Sequence, residues 1–290
     1  MKKILYIICL LILPFGFTSV AQIKLRGTVI DAKNDKPIPF ATIGVKNKSF
    51  GTVADESGHF NFQIPTDSIN QNDQILVSSV GYQVANLAYS GLNNEPQIIK
   101  LSQVSFLLNE ITVKPLKFKT KTFGRTGSSA FMSTRMISER NHTSDELGKE
   151  IGTVMEMDKN CELQTFNMHV VFNHFKNVKF RLNIYSVKDN LPDTLIIKDD
   201  ILFDVEQMRQ QWVNVDLSKY QIYLKGLDQV AITIQWLKSE PGDDPAKKSF
   251  NISAVPSSSK SILFRDKSQS GWLKIGGYLS LNVTADCFKE

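Results

Sequence analysis

Polar and apolar residues alternate in short runs along most of the chain, and turn-forming residues separate the runs. Neighbouring side chains of a strand point to opposite faces, so an alternation with a period of two predicts half-buried β-strands. In the first part of the chain, strands are predicted at residues 23–31, 41–46, 51–54, 59–64, 74–80, 82–89, 97–101 and 107–113. Short antiparallel strands at this spacing, separated by turns such as Asp55-Glu56-Ser57-Gly58, predict a small β-sandwich.

Beyond residue 126 the alternation continues, with longer runs and more aromatic residues. Strands are predicted at residues 150–157, 163–175, 178–187, 194–204, 211–217, 229–237, 250–254, 261–264 and 278–285, and a helical turn at residues 144–148 or 205–210. This number of strands suits a jelly-roll-like sandwich of two sheets. The pattern therefore predicts an all-β protein with two β-sandwich domains, at residues 22–113 and 126–290.

The first 21 residues have the pattern of a secretory signal peptide. Lys2 and Lys3 precede an apolar run at residues 4–17, which is too short to span a bilayer. Small residues at Ser19 and Ala21 suit cleavage after Ala21. No later stretch reaches the roughly 20 apolar residues of a transmembrane helix. We therefore expect an exported protein that is periplasmic, outer-membrane-associated or at the cell surface.

Two cysteines, Cys161 and Cys287, follow the predicted signal peptide. They fall near the first and last strands of the second domain, and an exported protein can form disulfides. A disulfide between the ends of this domain and two separate thiols are both compatible with the sequence, because the bond depends on the distance between the residues in the fold.

Composition and charge are those of an ordinary globular protein, with 42% hydrophobic residues, 22% charged residues and a formal net charge of +5. Residues 22–113 carry 7 basic and 8 acidic side chains, residues 126–290 carry 20 and 21, and residues 114–125 carry 5 and none. We expect residues 114–125 to be a solvated basic linker, with weak attachment to an anionic surface as the alternative. Two nearly neutral domains disfavour a nucleic-acid partner, which would require a basic face on a folded domain.

Several motifs of the first domain resemble the carboxypeptidase-regulatory-like domain family. They are Leu25-Arg26-Gly27-Thr28-Val29-Ile30-Asp31, Pro37-Ile38-Pro39-Phe40-Ala41-Thr42-Ile43, Gly51-Thr52-Val53-Ala54-Asp55-Glu56-Ser57-Gly58-His59-Phe60 and Val80-Gly81-Tyr82-Gln83. The exit at residues 108–113 is similar to the segment that follows such domains in exported proteins of Bacteroidetes-type bacteria, including TonB-dependent transporters. The resemblance implies a seven-stranded Greek-key sandwich of the transthyretin type that serves as a non-catalytic folding or docking module.

The second domain has a weaker resemblance to the jelly-roll-like domain that follows this module in such bacterial proteins. It is carried by residues 148–152, 180–185 and 212–218. This second resemblance implies a sandwich fold and no established activity.

Motifs for catalysis, metal binding or cofactor binding are not found in the sequence. The four histidines, His59, His142, His169 and His174, lack a Glu at the spacing of a zinc peptidase motif. The sequence also lacks the nucleophile elbow of hydrolases, the Walker A loop and the glycine-rich dinucleotide motif. We therefore predict no catalytic residue, no metal ligand and no cofactor.

Candidate ligand-binding residues come from the predicted polar face of the second domain. Aromatic rings beside polar groups suit a sugar, because the ring covers the apolar face of a pyranose and the polar groups bind its hydroxyls. The alternative is that the tryptophans cover a sheet edge or pack under a loop, while Trp236 shares a face with apolar residues and is predicted to be core. The predicted ligand-binding residues are Arg181, Asn183, Tyr185, His169, Trp212 and Trp272.

Together these features predict a non-catalytic, exported cell-envelope accessory or binding protein. Its ligand, a glycan or a protein, is expected on the second domain. A structural protein that docks on an outer-membrane transporter or another envelope assembly is the alternative. An unrecognised hydrolase is a more remote one, because sandwiches can host diverse chemistry.

Overall fold

The computed structural model describes residues 22–92, 95–104, 117–129, 132–136, 146–244 and 248–288. The predicted signal peptide and the predicted strand at residues 107–113 lie outside these residues. Regular structure in the described part is almost entirely β-strand, which confirms the prediction of an all-β protein. Short 3-10 helices lie at Thr66–Ser68, Tyr89–Gly91 and Ser218–Tyr220.

The first domain is a sandwich of two small sheets. Its strands are β1 (Gln22–Asp31), β2 (Thr42–Val45), β3 (Gly51–Val53), β4 (His59–Pro65), β5 (Gln74–Ser78), β6 (Ala85–Ala88) and β7 (Gln97–Leu101). One sheet has the order β4-β1-β7 and the other the order β3-β2-β5-β6. Val29, Ile43 and Ile99 are among the buried side chains that fill the space between the sheets.

The second domain is built from one hydrogen-bonded set of 13 strands. They are β8 (Phe118–Gly124), β9 (Met132–Arg135), β10 (Glu150–Glu156), β11 (Cys161–Lys188), β12 (Leu191–Leu195), β13 (Ile201–Asp216), β14 (Tyr223–Leu224), β15 (Gln229–Glu240), β16 (Phe250–Val255), β17 (Ser261–Arg265), β18 (Leu273–Gly276), β19 (Tyr278–Leu279) and β20 (Leu281–Phe288). The predicted helical turn at residues 205–210 is wrong, because these residues continue β13 in register with β11.

Strand β11 belongs to both layers of the second domain. Its first half pairs with β20 and its second half with β15, and its register with β13 shifts between Asn173 and Asn177. The rings of Phe166, from the first half, and Phe203 of β13 lie 6.0 Å apart in the core. The sheet therefore folds over on itself, so the two strands predicted at residues 163–175 and 178–187 are one long strand.

The prediction of a basic linker at residues 114–125 is wrong for residues 118–124. Phe118–Gly124 forms β8, which pairs with the C-terminal strand β20. The prediction failed because the carboxylates that accompany this basic segment are distant in sequence. Thr120 donates a hydrogen bond to Asp286 at 2.6 Å, and Lys121 forms an ion pair with Asp158. The second domain therefore begins at Phe118 in the structure, before the predicted boundary at residue 126.

The two domains pack directly against each other through the sheet β3-β2-β5-β6. All four residues of β2 are buried, although Ile43 and Val45 alone face the first core. On the other side of this sheet, Phe40 and Val53 form an apolar cluster with Leu237 of β15. Part of the outer face of this sheet is therefore covered by the second domain.

Candidate functional site

A cleft of about 550 Å³ lies between the two domains. Its walls combine apolar and hydrogen-bonding side chains from both domains. The residues that line it are Thr42, Ser78, Ser79, Val80, Gly81, Tyr82, Val84 and Val104 from the first domain, and Arg181, Asn183, Tyr185, Asp193, Thr194, Leu195, Ile196, Ile197, Lys198, Gln235, Arg265, Ser268 and Gln269 from the second. Three of the predicted ligand-binding residues are in this set.

Arg181, Asn183 and Tyr185 share one face of β11, as the alternation predicts, but this face is not open to solvent. Their exposed fractions are 2%, 3% and 9%. The first domain and the loop after β17 cover this side of the sheet, so the prediction of a solvated polar face is wrong. The three side chains line the cleft from a buried position.

Arg181 is held by partners from three parts of the chain. Its Nε and Nη2 groups donate to Asp200 at 2.5 and 2.7 Å, and Nη1 donates to Gln235 at 3.1 Å. Nη2 also donates to the carbonyl oxygen of Phe40 in the first domain at 3.1 Å. Most of the hydrogen-bonding capacity of this guanidinium is therefore used within the protein.

A second buried ion pair lies beside it, between Glu150 of β10 and Arg265 of β17. Arg265 donates to one carboxylate oxygen of Glu150 through Nε at 2.9 Å and through Nη2 at 2.5 Å. Asn183 and Tyr185 donate to the other oxygen at 2.9 and 3.0 Å, and Thr233 donates to it as well. Glu150 is fully buried, so these donors replace water as partners of the charge.

Electrostatics within this cluster favour a neutral Tyr185 and a charged Arg265. Burial and the negative charge of Glu150 raise the pKa of Tyr185, which stays a neutral hydrogen-bond donor. Burial alone would lower the pKa of Arg265, but the attraction of Glu150 raises it above its usual value. Arg265 therefore stays charged at the wall of the cleft, paired with Glu150.

Trp272 packs against the guanidinium of Arg265. Its ring centre lies 4.5 Å from the guanidinium carbon of Arg265, and it meets the ring of Tyr185 edge-on at 6.0 Å. A cation over an indole face is favourable at this distance. Trp272 is half-buried in these contacts. It is close to the cleft, although it does not present an open ring as a platform for a sugar.

His169 and Trp212 lie together in the other half of β11 and β13, away from the cleft. Their rings meet edge-on at 5.1 Å, and Trp212 is 37% exposed. His169 is only 3% exposed, which contradicts its prediction as a solvated residue. Trp212 packs edge-on against its ring. Burial and the charge of Arg125 lower the pKa of His169.

The six predicted residues therefore separate into two groups. Four of them, Arg181, Asn183, Tyr185 and Trp272, come together at or beside the cleft, whereas His169 and Trp212 form a separate pair. Glu150 and Arg265 were missed by sequence reasoning. Glu150 begins the strand predicted at residues 150–157 and Arg265 directly follows the strand predicted at residues 261–264, but nothing in the sequence pairs these two positions.

Cys161 and Cys287 are direct partners across β11 and β20, and their sulfur atoms form a disulfide. Of the two alternatives left by the sequence, the structure contains the disulfide. The described residues contain no group of three or more His, Cys, Asp or Glu side chains able to hold a metal ion. Within the same residues, no helix has the length and apolar character needed to cross a membrane.

Residues 25–113 match the family model of the CarboxypepD_reg-like domain, which agrees with the resemblance in the first domain. No curated protein matches the sequence of this chain. A solved structure with similarity is that of the cysteine protease and lectin-like domains of Cwp84, a surface layer associated protein of Clostridium difficile, with 8% identity, a TM-score of 0.40 and coverage of 86% of this chain and 58% of that one. Another is the infectious bursal disease virus Gx strain, with 9% identity, a TM-score of 0.26 and coverage of 93% and 65%. The chain thus spans less than two thirds of either structure.

Proposed function

We propose that this protein, in which residues 25–113 match the CarboxypepD_reg-like domain, is a non-catalytic binding protein of the bacterial cell envelope that holds a glycan between its two domains. The observation that carries the proposal is the interdomain cleft of about 550 Å³. A cavity of this size fits a small ligand or part of a chain. The disulfide between Cys161 and Cys287 supports a role after export, in the periplasm or at the outer membrane.

The cleft lining combines polar and apolar groups, which suits a carbohydrate. Gln269, which donates to Ser78 at 3.2 Å, adds an amide to the lining, and amide groups bond the hydroxyls of sugars. Val80 and Val84 add apolar side chains, which suit the C–H face of a pyranose ring. A ligand in this position would contact both domains, so the first domain becomes part of the binding site.

The direct test is a glycan array with the purified protein and two tryptophan variants. Val84 lines the cleft and is 57% exposed, so Val84→Trp adds bulk to the cleft without disturbing the core. Ile98 is 72% exposed on β7 of the same domain and is absent from the cleft lining, so Ile98→Trp is the matched control. We expect Val84→Trp to weaken glycan binding by about tenfold or more, and Ile98→Trp to bind like the parent.

Two results would contradict the proposal. One is an array on which no glycan binds the parent protein. The other is a glycan that binds Val84→Trp as tightly as the parent. A Trp212→Ala variant then separates the two candidate regions, because Trp212 lies outside the cleft and its loss is expected to leave binding unchanged.

A second candidate function is docking on another envelope protein. Leu273 and Ile275 on β18 are 53% and 44% exposed, and they point to the same side of a strand at the edge of its sheet. Neighbouring exposed apolar side chains are typical of protein contact sites. We expect a Leu273→Ser/Ile275→Ser variant to lose association with outer membranes of the native host, while Ile98→Ser keeps it. Equal association of both variants with the membranes would rule this function out.

A further inference from the structure

One amino group at the wall of the cleft has no partner in the described part of the protein. Arg265 uses Nε and Nη2 to bind Glu150, and Nη2 also donates to the hydroxyl of Tyr185 at 3.2 Å. Its Nη1 group donates to none of the described residues. Trp272 packs on the flat face of the guanidinium, so the edge that carries Nη1 remains available to a ligand.

The neighbouring arginine differs in this respect. Arg181 donates to Asp200 through Nε and Nη2 and to Gln235 through Nη1. Its Nη2 group also donates to the Phe40 carbonyl, so every nitrogen of this guanidinium has a partner. Its role is to hold the domains together. Arg265 is therefore the cleft arginine that retains a complete amino group for a ligand.

The cleft wall presents the cationic members of two ion pairs. Its lining includes Arg181 and Arg265. Glu150 and Asp200 neutralise the two arginines but are not among the lining residues. A ligand in the cleft therefore meets the positive side of both ion pairs, which favours an anionic group.

We propose that the ligand of the cleft is an acidic carbohydrate, a glycan with uronic acid residues, whose carboxylate accepts a hydrogen bond from Nη1 of Arg265. This inference rests on the proposed function and adds the class of glycan. The Glu150 carboxylate and the Trp272 ring fix the guanidinium in place, so the Arg265 side chain loses little further conformational entropy when it binds a second carboxylate. Gln269 lines the same cleft, and its amide group suits the hydroxyls of a sugar acid.

The experiment compares acidic oligosaccharides with their own methyl esters. The probes are oligomers of galacturonate, glucuronate and mannuronate, each beside its methyl ester, together with acidic peptides of similar length. Esterification removes the charge and keeps the sugar, so it tests the carboxylate without changing the protein. We expect one of the acids to bind about tenfold or more tighter than its ester, and this difference to shrink when salt is raised.

Each outcome decides between the two proposals. Equal binding of acid and ester, or binding of the neutral esters alone, would overturn the acidic ligand and leave glycan binding in the cleft intact. Binding of acidic peptides in place of every glycan would overturn both proposals, and so would the absence of all binding.

An Arg265→Lys variant tests whether the guanidinium of Arg265 is the group that binds the ligand carboxylate. Lysine keeps a cation beside Glu150 but lacks the second amino group of the guanidinium. We expect this variant to bind acid and ester with equal affinity, while Arg209→Lys, an exposed change on β13, keeps the preference. A folded Arg265→Lys variant that keeps the full preference would contradict the assignment. If it fails to fold, the ester comparison on the parent still decides.

Discussion

Arg181 of the second domain donates a hydrogen bond through Nη2 to the carbonyl oxygen of Phe40 in the first domain, across 141 positions of sequence. Phe40 also contributes its ring to the apolar cluster with Leu237. One residue of the first domain therefore meets the second domain through both its backbone and its side chain. A buried cation and an apolar contact therefore adjoin at this point of the interface.

Replacing Arg181 by Met should destabilise the protein by about 2 kcal/mol, because it leaves the Phe40 carbonyl without a donor and Asp200 without its cation. The matched control is Lys238→Met, which removes an exposed ion pair between the same two domains, with Glu56. Exposed pairs contribute little, so we expect no more than about 0.5 kcal/mol there. Urea unfolding measures both. Equal losses for the two variants would show that Arg181 does not stabilise the interface.

Glu150 and Arg265 should show strong energetic coupling. Glu150→Met alone leaves a largely buried guanidinium without its carboxylate, which costs about 3–5 kcal/mol. In the double variant Glu150→Met/Arg265→Met both charges are gone, so we expect it to be more stable than the sum of the two single losses predicts. A double-mutant cycle by chemical denaturation gives the coupling free energy. Additive losses would contradict a direct interaction in the folded protein.

Loss of the disulfide should lower the free energy of unfolding by about 4 kcal/mol, because Cys161 and Cys287 close a loop of more than 100 residues in the unfolded chain. The variant is Cys161→Ala/Cys287→Ala, and the measurement is urea unfolding with and without reductant. We expect reductant to destabilise the parent and to leave the variant unchanged. A parent that is insensitive to reductant under unfolding conditions would contradict this expectation.

His169 should make the protein less stable in mild acid. Burial and Arg125 lower its pKa in the folded state, so the unfolded chain, with its ordinary value of 6.5, binds the proton more readily. The free energy of unfolding should therefore fall as the pH drops below about 6.5. Chemical denaturation at several pH values between 7.5 and 5 measures the slope. We expect His169→Gln to flatten it and His59→Gln, an exposed change on β4, to retain it.

Alternation along the strands was enough to sort the side chains of β11. Phe180 and Leu182 are fully buried in the core, and Arg181 and Asn183 lie on the other face, as the period of two requires. What covers that other face depends on a contact between residues far apart in sequence. Periodicity within one strand carries no information about such a contact, so a buried interdomain face was predicted to be solvated.

The same limit explains the error at β8. Its lysines and the absence of acidic residues nearby are typical of a solvated segment, but Asp158 and Asp286 approach it in the fold. Trp236 was predicted correctly as core because its own strand is apolar on that face. Residues of other strands determine the environments of Trp212 and Trp272, which contact His169 and Arg265. Local pattern therefore decides the face of a side chain, and tertiary pairing decides its exposure.

The position of β20 between β8 and β11 has a consequence for the time course of folding. Its partner strands, β8 and β11, are synthesised early in the second domain. Their hydrogen bonds to β20 can form only after β20 has been synthesised. Long-range pairing of this kind slows folding, because the entropy of closing a long loop is lost before the new contacts stabilise the chain. Until Phe288 has emerged, β8 lacks the strand it pairs with, and the unfinished sheet presents an open edge to other chains.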